Sequence, residues 1–175
     1  MLPERVDNLK IIHWPDPRLK VAGKRVEVFD DRLKALAERM IELMYQANGV
    51  GLAAPQLGLD LQLFIARAPE QMDQPRVYVN AELAERGGTL TSEEGCLSVP
   101  GITVKTKRVA KIGIRAQDLQ GKYFEQEADG LLSRVWQHEN DHCNGVVIVD
   151  RMSRLQRISS RRAMRELEEA YKNPG

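Results

Sequence analysis

Apolar residues recur every three or four positions in one early stretch of the chain and alternate with polar ones in several short stretches further on. After Asp30-Asp31, the residues Leu33, Leu36, Ala37, Met40, Leu43, Met44 and Ala47 fall on one face of a helix. The aspartates offer N-cap oxygens, and Asn48-Gly49 offers the stop. Residues 61–66 and 77–79 predict strands. Over 109–116, Ala110, Ile112, Ile114 and Ala116 alternate with Val109, Lys111, Gly113 and Arg115, as a half-buried strand requires. Asp118-Leu119-Gln120-Gly121 predicts a turn into a short strand over 122–127. A second helix opens at Asp129-Gly130 and runs from Leu131 to about Cys143. Residues 146–149 form a short β-branched run, and residues 153 to about 172 predict a third helix, ended by Asn173-Pro174-Gly175. Strands and helices mix without regular βαβ alternation. The expected class is therefore α+β, with mixed or antiparallel strands packed around the central helix and a C-terminal helix alongside.

At 175 residues, with no linker, repeat or low-complexity segment, the chain is expected to form a single domain over 1–175. Such a length supports a core without a disulfide or a metal. The 26 basic and 25 acidic side chains leave a formal charge of +1, which excludes a wholesale polyanion binder but not a local basic patch. The start, MLPERVDNLKIIHWPDP, has charges and prolines where a signal peptide needs an apolar core, and no run of about 18 apolar residues occurs anywhere. A cytoplasmic location is the expectation, with no membrane partner. In a reducing compartment Cys96 and Cys143 are expected to be free thiols.

The central helix carries the chemistry. His138 and His142 are four residues apart, so a turn of about 400° brings them within about 40° of one direction. Two imidazoles so placed can ligate one cation, and Glu139 beside them can take a proton from water acidified by it. Three completions of such a site are open. A histidine six residues after His142 is absent, because Ile148 stands there. A glutamate from the last helix could come from Glu166, Glu168 or Glu169, although in that arginine-rich segment they read more simply as solvated charges. The third is a thiolate from Cys96, which follows Gly95 just beyond an expected strand end. Upstream, the glycines of GVGLAAPQ (49–56) permit close backbone approach to a ligand, and Gln56 offers an amide donor.

GVGLAAPQ, EGCLS (94–98) and QHENDH (137–142), in this order, resemble the three signature motifs of the peptide deformylases, and the likeness runs from about Ile11 to Met152. The resemblance implies metal ligands Cys96, His138 and His142, with Glu139 as general acid and base. It implies that Gln56 and the Leu97 N–H bind the formyl oxygen and that Gly51 contacts the substrate backbone. Val50, Leu131 and Val135 are expected pocket walls. Arg134, one turn before His138, is expected to narrow that pocket or reach a peptide carbonyl, or else to extend to solvent. The implied reaction is metal-assisted hydrolysis of N-formyl-methionyl peptides to formate and a free N-terminus. The family's usual ion is ferrous iron, with zinc, nickel or cobalt as substitutes, whereas coordination chemistry alone favours zinc. The alternatives are a zinc endopeptidase of HExxH type and a catalytically silent ribosome-binding homologue. Glu94 is a candidate partner for a histidine N–H, and Asp141 a second one. Cys143 is expected to face the core and His13 to be structural. Arg151, Arg154, Arg157, Arg161, Arg162 and Arg165 form a stripe that suits phosphates, and in this family such a helix implies a possible ribosome contact.

Overall fold

The computed structural model describes residues 2, 3, 5–68 and 74–173. Five strands form one sheet in the order β1-β2-β3-β4-β5, each antiparallel to its neighbour. They are β1 (Gly51–Ala53), β2 (Leu63–Ala66), β3 (Arg76–Glu94), β4 (Val104–Gln117) and β5 (Tyr123–Ala128). Helix α1 (Asp31–Gln46) precedes the sheet, α2 (Gly130–Cys143) follows it, and α3 (Arg154–Ser159) and α4 (Arg161–Lys172) close the chain. The α+β expectation holds, and among the named strands the pairing is antiparallel throughout.

Strand β2 shows why the helices lie where they do. All four of its residues are buried. Leu63 and Ile65 belong to a core with Leu33, Leu36, Met40 and Met44 of α1, while Phe64 and Ala66 belong to a core with Leu132, Val135 and Trp136 of α2. Alternate residues of a strand point to opposite faces, so α1 and α2 cover opposite faces of this end of the sheet. On the α2 side Tyr78 stacks on Phe64 with ring centroids 5.0 Å apart and meets Trp136 edge-on at 5.6 Å. Ile112, Ile114 and Ala116 of β4 join this core, as their alternation predicted. α1 opens with Asp30, whose side chain accepts the Arg32 and Leu33 N–H groups. It closes where Asn48 takes a positive φ of 53° and the Gly49 N–H reaches the Met44 carbonyl.

Three expectations need correction. The strand placed at 77–79 runs on to Glu94, as one arm of a long ribbon with β4. Most of residues 82–93 are exposed, so no apolar alternation marks them, and Gly87-Gly88 looks like a turn although a bulge carries the strand through it. The helix expected over 153–172 is two helices. Ser159 returns its hydroxyl to the Gln156 carbonyl and Ser160 has non-helical ψ near 0°, which breaks the run. The β-branched run at 146–149 ends in a 3-10 turn, Ile148–Arg151, whose first two residues are buried. The stop at Pro174-Gly175 lies outside the described residues.

The aromatic contacts under α2 set the height of that helix above the sheet. Trp136→Ala is expected to lower the unfolding free energy by about 3–5 kcal/mol in a denaturant titration; a loss below about 1 kcal/mol would mean that the indole is not a support of α2.

Candidate metal centre

Three segments bring their side chains together. Strand β3 delivers Glu94 and then the 95–103 loop with Cys96; β1 leads into a 3-10 turn, Ala54–Leu57, that carries Gln56; and α2 presents His138, Glu139 and His142. The extended N-terminal segment ties the first two, since the Ile12 N–H donates to the Gln56 carbonyl (2.8 Å) and the Trp14 N–H to the Ser98 carbonyl (2.8 Å). Within the loop the Val99 N–H closes a turn on the Cys96 carbonyl at 2.9 Å.

Cys96 Sγ lies 3.2 Å from His142 Nε2, and the ligand atoms of Cys96, His138 and His142 all fall within 4.8 Å of one another. In a tetrahedral site with bonds of about 2.0–2.3 Å, donor atoms stand about 3.3–3.8 Å apart, so this donor set fits a single cation. Of the three completions, the one the structure brings to the histidines is the Cys96 thiol: Ile148 is in the core, and Glu166, Glu168 and Glu169 are on α4, outside the cluster. The two imidazoles are pushed in opposite directions. Burial would lower the His138 pKa, yet Cys96 and Glu94 push it well above the ordinary range. Burial and the neighbouring His138 charge push His142 well below it. A cation bound here would take the place of the His138 proton, since metal ligation requires deprotonated donors.

Glu139 is 4% exposed, and burial pushes its carboxyl up to about 7. Its Oε2 has no hydrogen-bond partner among the described residues. A Cβ on Gly51 would stand 2.8 Å from Glu139 Cδ, so the glycine is needed at this point to let the carboxylate lie against the backbone. Gln56 is fixed from one end. Its Oε1 accepts the Ala53 N–H at 2.8 Å, which turns Nε2 towards Ser98 Oγ (3.2 Å) and Cys96 Sγ (3.7 Å). Gln56, Cys96, Leu97, Gly51, Val50, Leu131, Arg134, Val135, His138 and Glu139 line one cavity of about 530 Å³. His142 lies beneath it, buried against Cys96. Cys143 points away into the core with its thiol directed at the Leu63 carbonyl, and both cysteines are free. His13 is exposed and outside the cluster.

The Glu94 carboxylate, of the two candidates, meets one of these imidazoles, with Oε2 3.2 Å from His138 Nδ1. Burial alone would raise its pKa, but His138 and Arg108 hold it at about 2. Arg108, 4% exposed, clasps Glu94 through Nε and Nη2 at 2.9 and 2.8 Å and reaches Asp141 through Nη1 at 2.7 Å. Arg151 holds the far side of Asp141. Sequence reasoning assigned no role to Arg108. Its sole signal is a basic residue at a position where the alternation of β4 points into the interior. Arg108→Leu leaves the buried Glu94 carboxylate without its guanidinium and Asp141 with Arg151 alone, and is expected to cost about 3–5 kcal/mol of stability, measured by chemical denaturation; a cost under about 1 kcal/mol would show that Glu94 finds another partner.

The model of the Polypeptide deformylase family matches residues 8–158. A peptide deformylase of Chromobacterium violaceum is 48% identical over 160 residues, covering 90% of this chain and 96% of that protein. Among solved structures, a plant peptide deformylase superposes with a TM-score of 0.88 at 36% identity, covering 95% of this chain and 92% of the other. A peptide deformylase from Legionella pneumophila superposes with a TM-score of 0.86 at 40% identity, covering 95% and 99%. With this geometry and these likenesses, the chain belongs to the polypeptide deformylase family.

Proposed function

We propose that the chain removes the formyl group from the N-terminal methionine of newly synthesised polypeptides, releasing formate, and that one catalytic domain over 1–175 carries the reaction. The observation that supports this most is the meeting, in one cavity, of a thiol and two imidazoles, a buried carboxylate beside them and an amide donor aimed at them. A divalent cation held by Cys96, His138 and His142 would polarise the formyl oxygen and acidify a water molecule. Family membership supports ferrous iron as that ion, with zinc, nickel or cobalt able to replace it.

Glu139 holds the proton that has to move. It receives one from the water that attacks the formyl carbon and delivers it to the methionine nitrogen as the C–N bond breaks. Its position against Gly51 keeps it within the cavity and away from bulk water. The formyl oxygen gains negative charge on the way, and the Gln56 amide and the Leu97 N–H are its donors. Gln56 needs no rearrangement for this, because its oxygen is already engaged by Ala53. The methionine side chain packs between Val50, Leu131 and Val135, and the peptide backbone passes Gly51, where no side chain intervenes. Arg134 sits on the same wall.

The C-terminal arginines support a contact with the ribosome. Arg151, Arg157 and Arg162 are engaged by Asp141, the Val149 carbonyl and Glu166. Arg154, Arg161 and Arg165 are exposed and have no ion pair among the described residues, while Ala163, Met164 and Leu167 anchor α4 to the body. Exposed arginines of this kind suit RNA phosphates. No helix among the described residues is long and apolar enough to cross a membrane.

Glu139→Gln is expected to keep its metal content and its fold while formate release from a formyl-methionyl tripeptide falls about 10²–10⁴-fold; turnover near the parent rate would remove Glu139 from the reaction. Replacing Arg154, Arg161 and Arg165 with Glu is expected to weaken co-sedimentation with ribosomes and to flatten its dependence on salt. Unchanged binding across a salt series would dismiss the ribosome contact.

A further inference from the structure

Arg134 contributes the one ammonium or guanidinium among the described residues that line the cavity. The carboxylates there are otherwise accounted for. Glu94 is clasped by Arg108, Glu139 is buried beside Gly51, and Glu93 lies exposed on the rim opposite Lys105 in the β3–β4 register. The Arg134 side chain is half-buried, and Nη1 donates to Ser92 Oγ at 2.6 Å, which holds the guanidinium at the wall of the groove. Its remaining N–H groups have no acceptor and no carboxylate partner among the described residues. A guanidinium pinned by a neutral hydroxyl, with donors to spare on a cavity wall, is arranged to meet an anion that arrives with the ligand.

The position in the groove says which part of the ligand that is. The long Arg134 side chain carries its guanidinium away from its own backbone to Ser92, which lies two residues, about 6.8 Å, before Glu94 on the same face of β3, and Glu94 meets His138. An extended peptide repeats its side chains on one face every two residues, about 6.8 Å. With the formyl group at the cluster and the first side chain against Leu131 and Val135, the third residue is the next to face the same wall. We infer that Arg134 makes the enzyme favour formylated chains with an acidic side chain at the third residue. This rests on the deformylase reading.

The test uses C-terminally amidated peptides, formyl-Met-Ala-Xaa-Ser, with Glu, Gln or Lys at Xaa, so that the third side chain carries the only variable charge. Formate release is followed at low and at high salt. The parent enzyme is expected to show kcat/KM in the order Glu, Gln, Lys, with Glu over Gln by about threefold to fivefold, the range of a partly exposed ion pair. The ratio should shrink towards one as salt rises. In Arg134→Leu the Glu-to-Gln ratio should fall to about one, and Arg134→Lys should restore part of it. Equal kcat/KM for Glu and Gln in the parent enzyme overturns the inference, as does a ratio that survives Arg134→Leu. A loss of equal size on all three peptides also overturns it, because the guanidinium would then grip backbone. If Arg134→Leu does not fold, the parent salt series decides alone. Formate release from none of the peptides would overturn the deformylase reading together with this one, whereas release at equal rates overturns only the preference.

Discussion

Two imidazoles on successive turns of one helix approach a cation from the same side, so they cannot enclose it without a donor from another part of the chain. The fold meets that constraint with a ribbon. β3 and β4 run together for most of their length, and the loop between them carries Cys96 to within 3.2 Å of His142. The loop does not hold this place alone. The N-terminal segment bonds to it at Ser98 and to the Gln56 turn at the Gln56 carbonyl, so one extended strand of chain fixes the thiol and the amide donor relative to each other. α2 is fixed from below by the Phe64, Tyr78 and Trp136 rings. The two histidines are preorganised by ring packing in which neither takes part, and Cys96 by packing against the core around Val99 and Ile102.

Behind the donors runs a chain of charges, from Arg151 to Asp141, Arg108, Glu94 and His138. Burying so many ions is unfavourable unless each is paired, and here each carboxylate meets a guanidinium. The arrangement gives His138 a defined ring orientation, because Glu94 occupies Nδ1 and leaves Nε2 for the cluster. It also joins the turn before the C-terminal helices to His138 through side chains, not backbone.

Much of the site was legible in the sequence because its residues are close neighbours along the chain. The histidines and Glu139 share one helix, and the helical period alone puts them on one side of it. The α1 face could be read for the same reason, and all of its expected apolar residues except Ala47 are buried. What escaped depends on distant pairing or on exposure. Residues 82–93 form a strand although their mostly exposed side chains carry no apolar period, and only the partner β4 makes the assignment plain. Arg108 gave no local sign of its role, since its carboxylates lie 14 and 33 positions away. The clamp by Ile12 and Trp14 uses backbone groups, which leave no trace in side-chain pattern. The break at Ser160 turns on a serine hydroxyl that competes with the helix, a balance that periodicity does not register.

The central claim is that Cys96, His138 and His142 close around a single cation. Anaerobic titration of the metal-free protein with cobalt(II), followed by visible absorption, tests it most directly. The account predicts saturation at one equivalent with tetrahedral d–d bands and a thiolate-to-metal charge-transfer band, the latter lost in Cys96→Ser. Saturation without any thiolate band, or a band that persists when Cys96 is replaced, would contradict it.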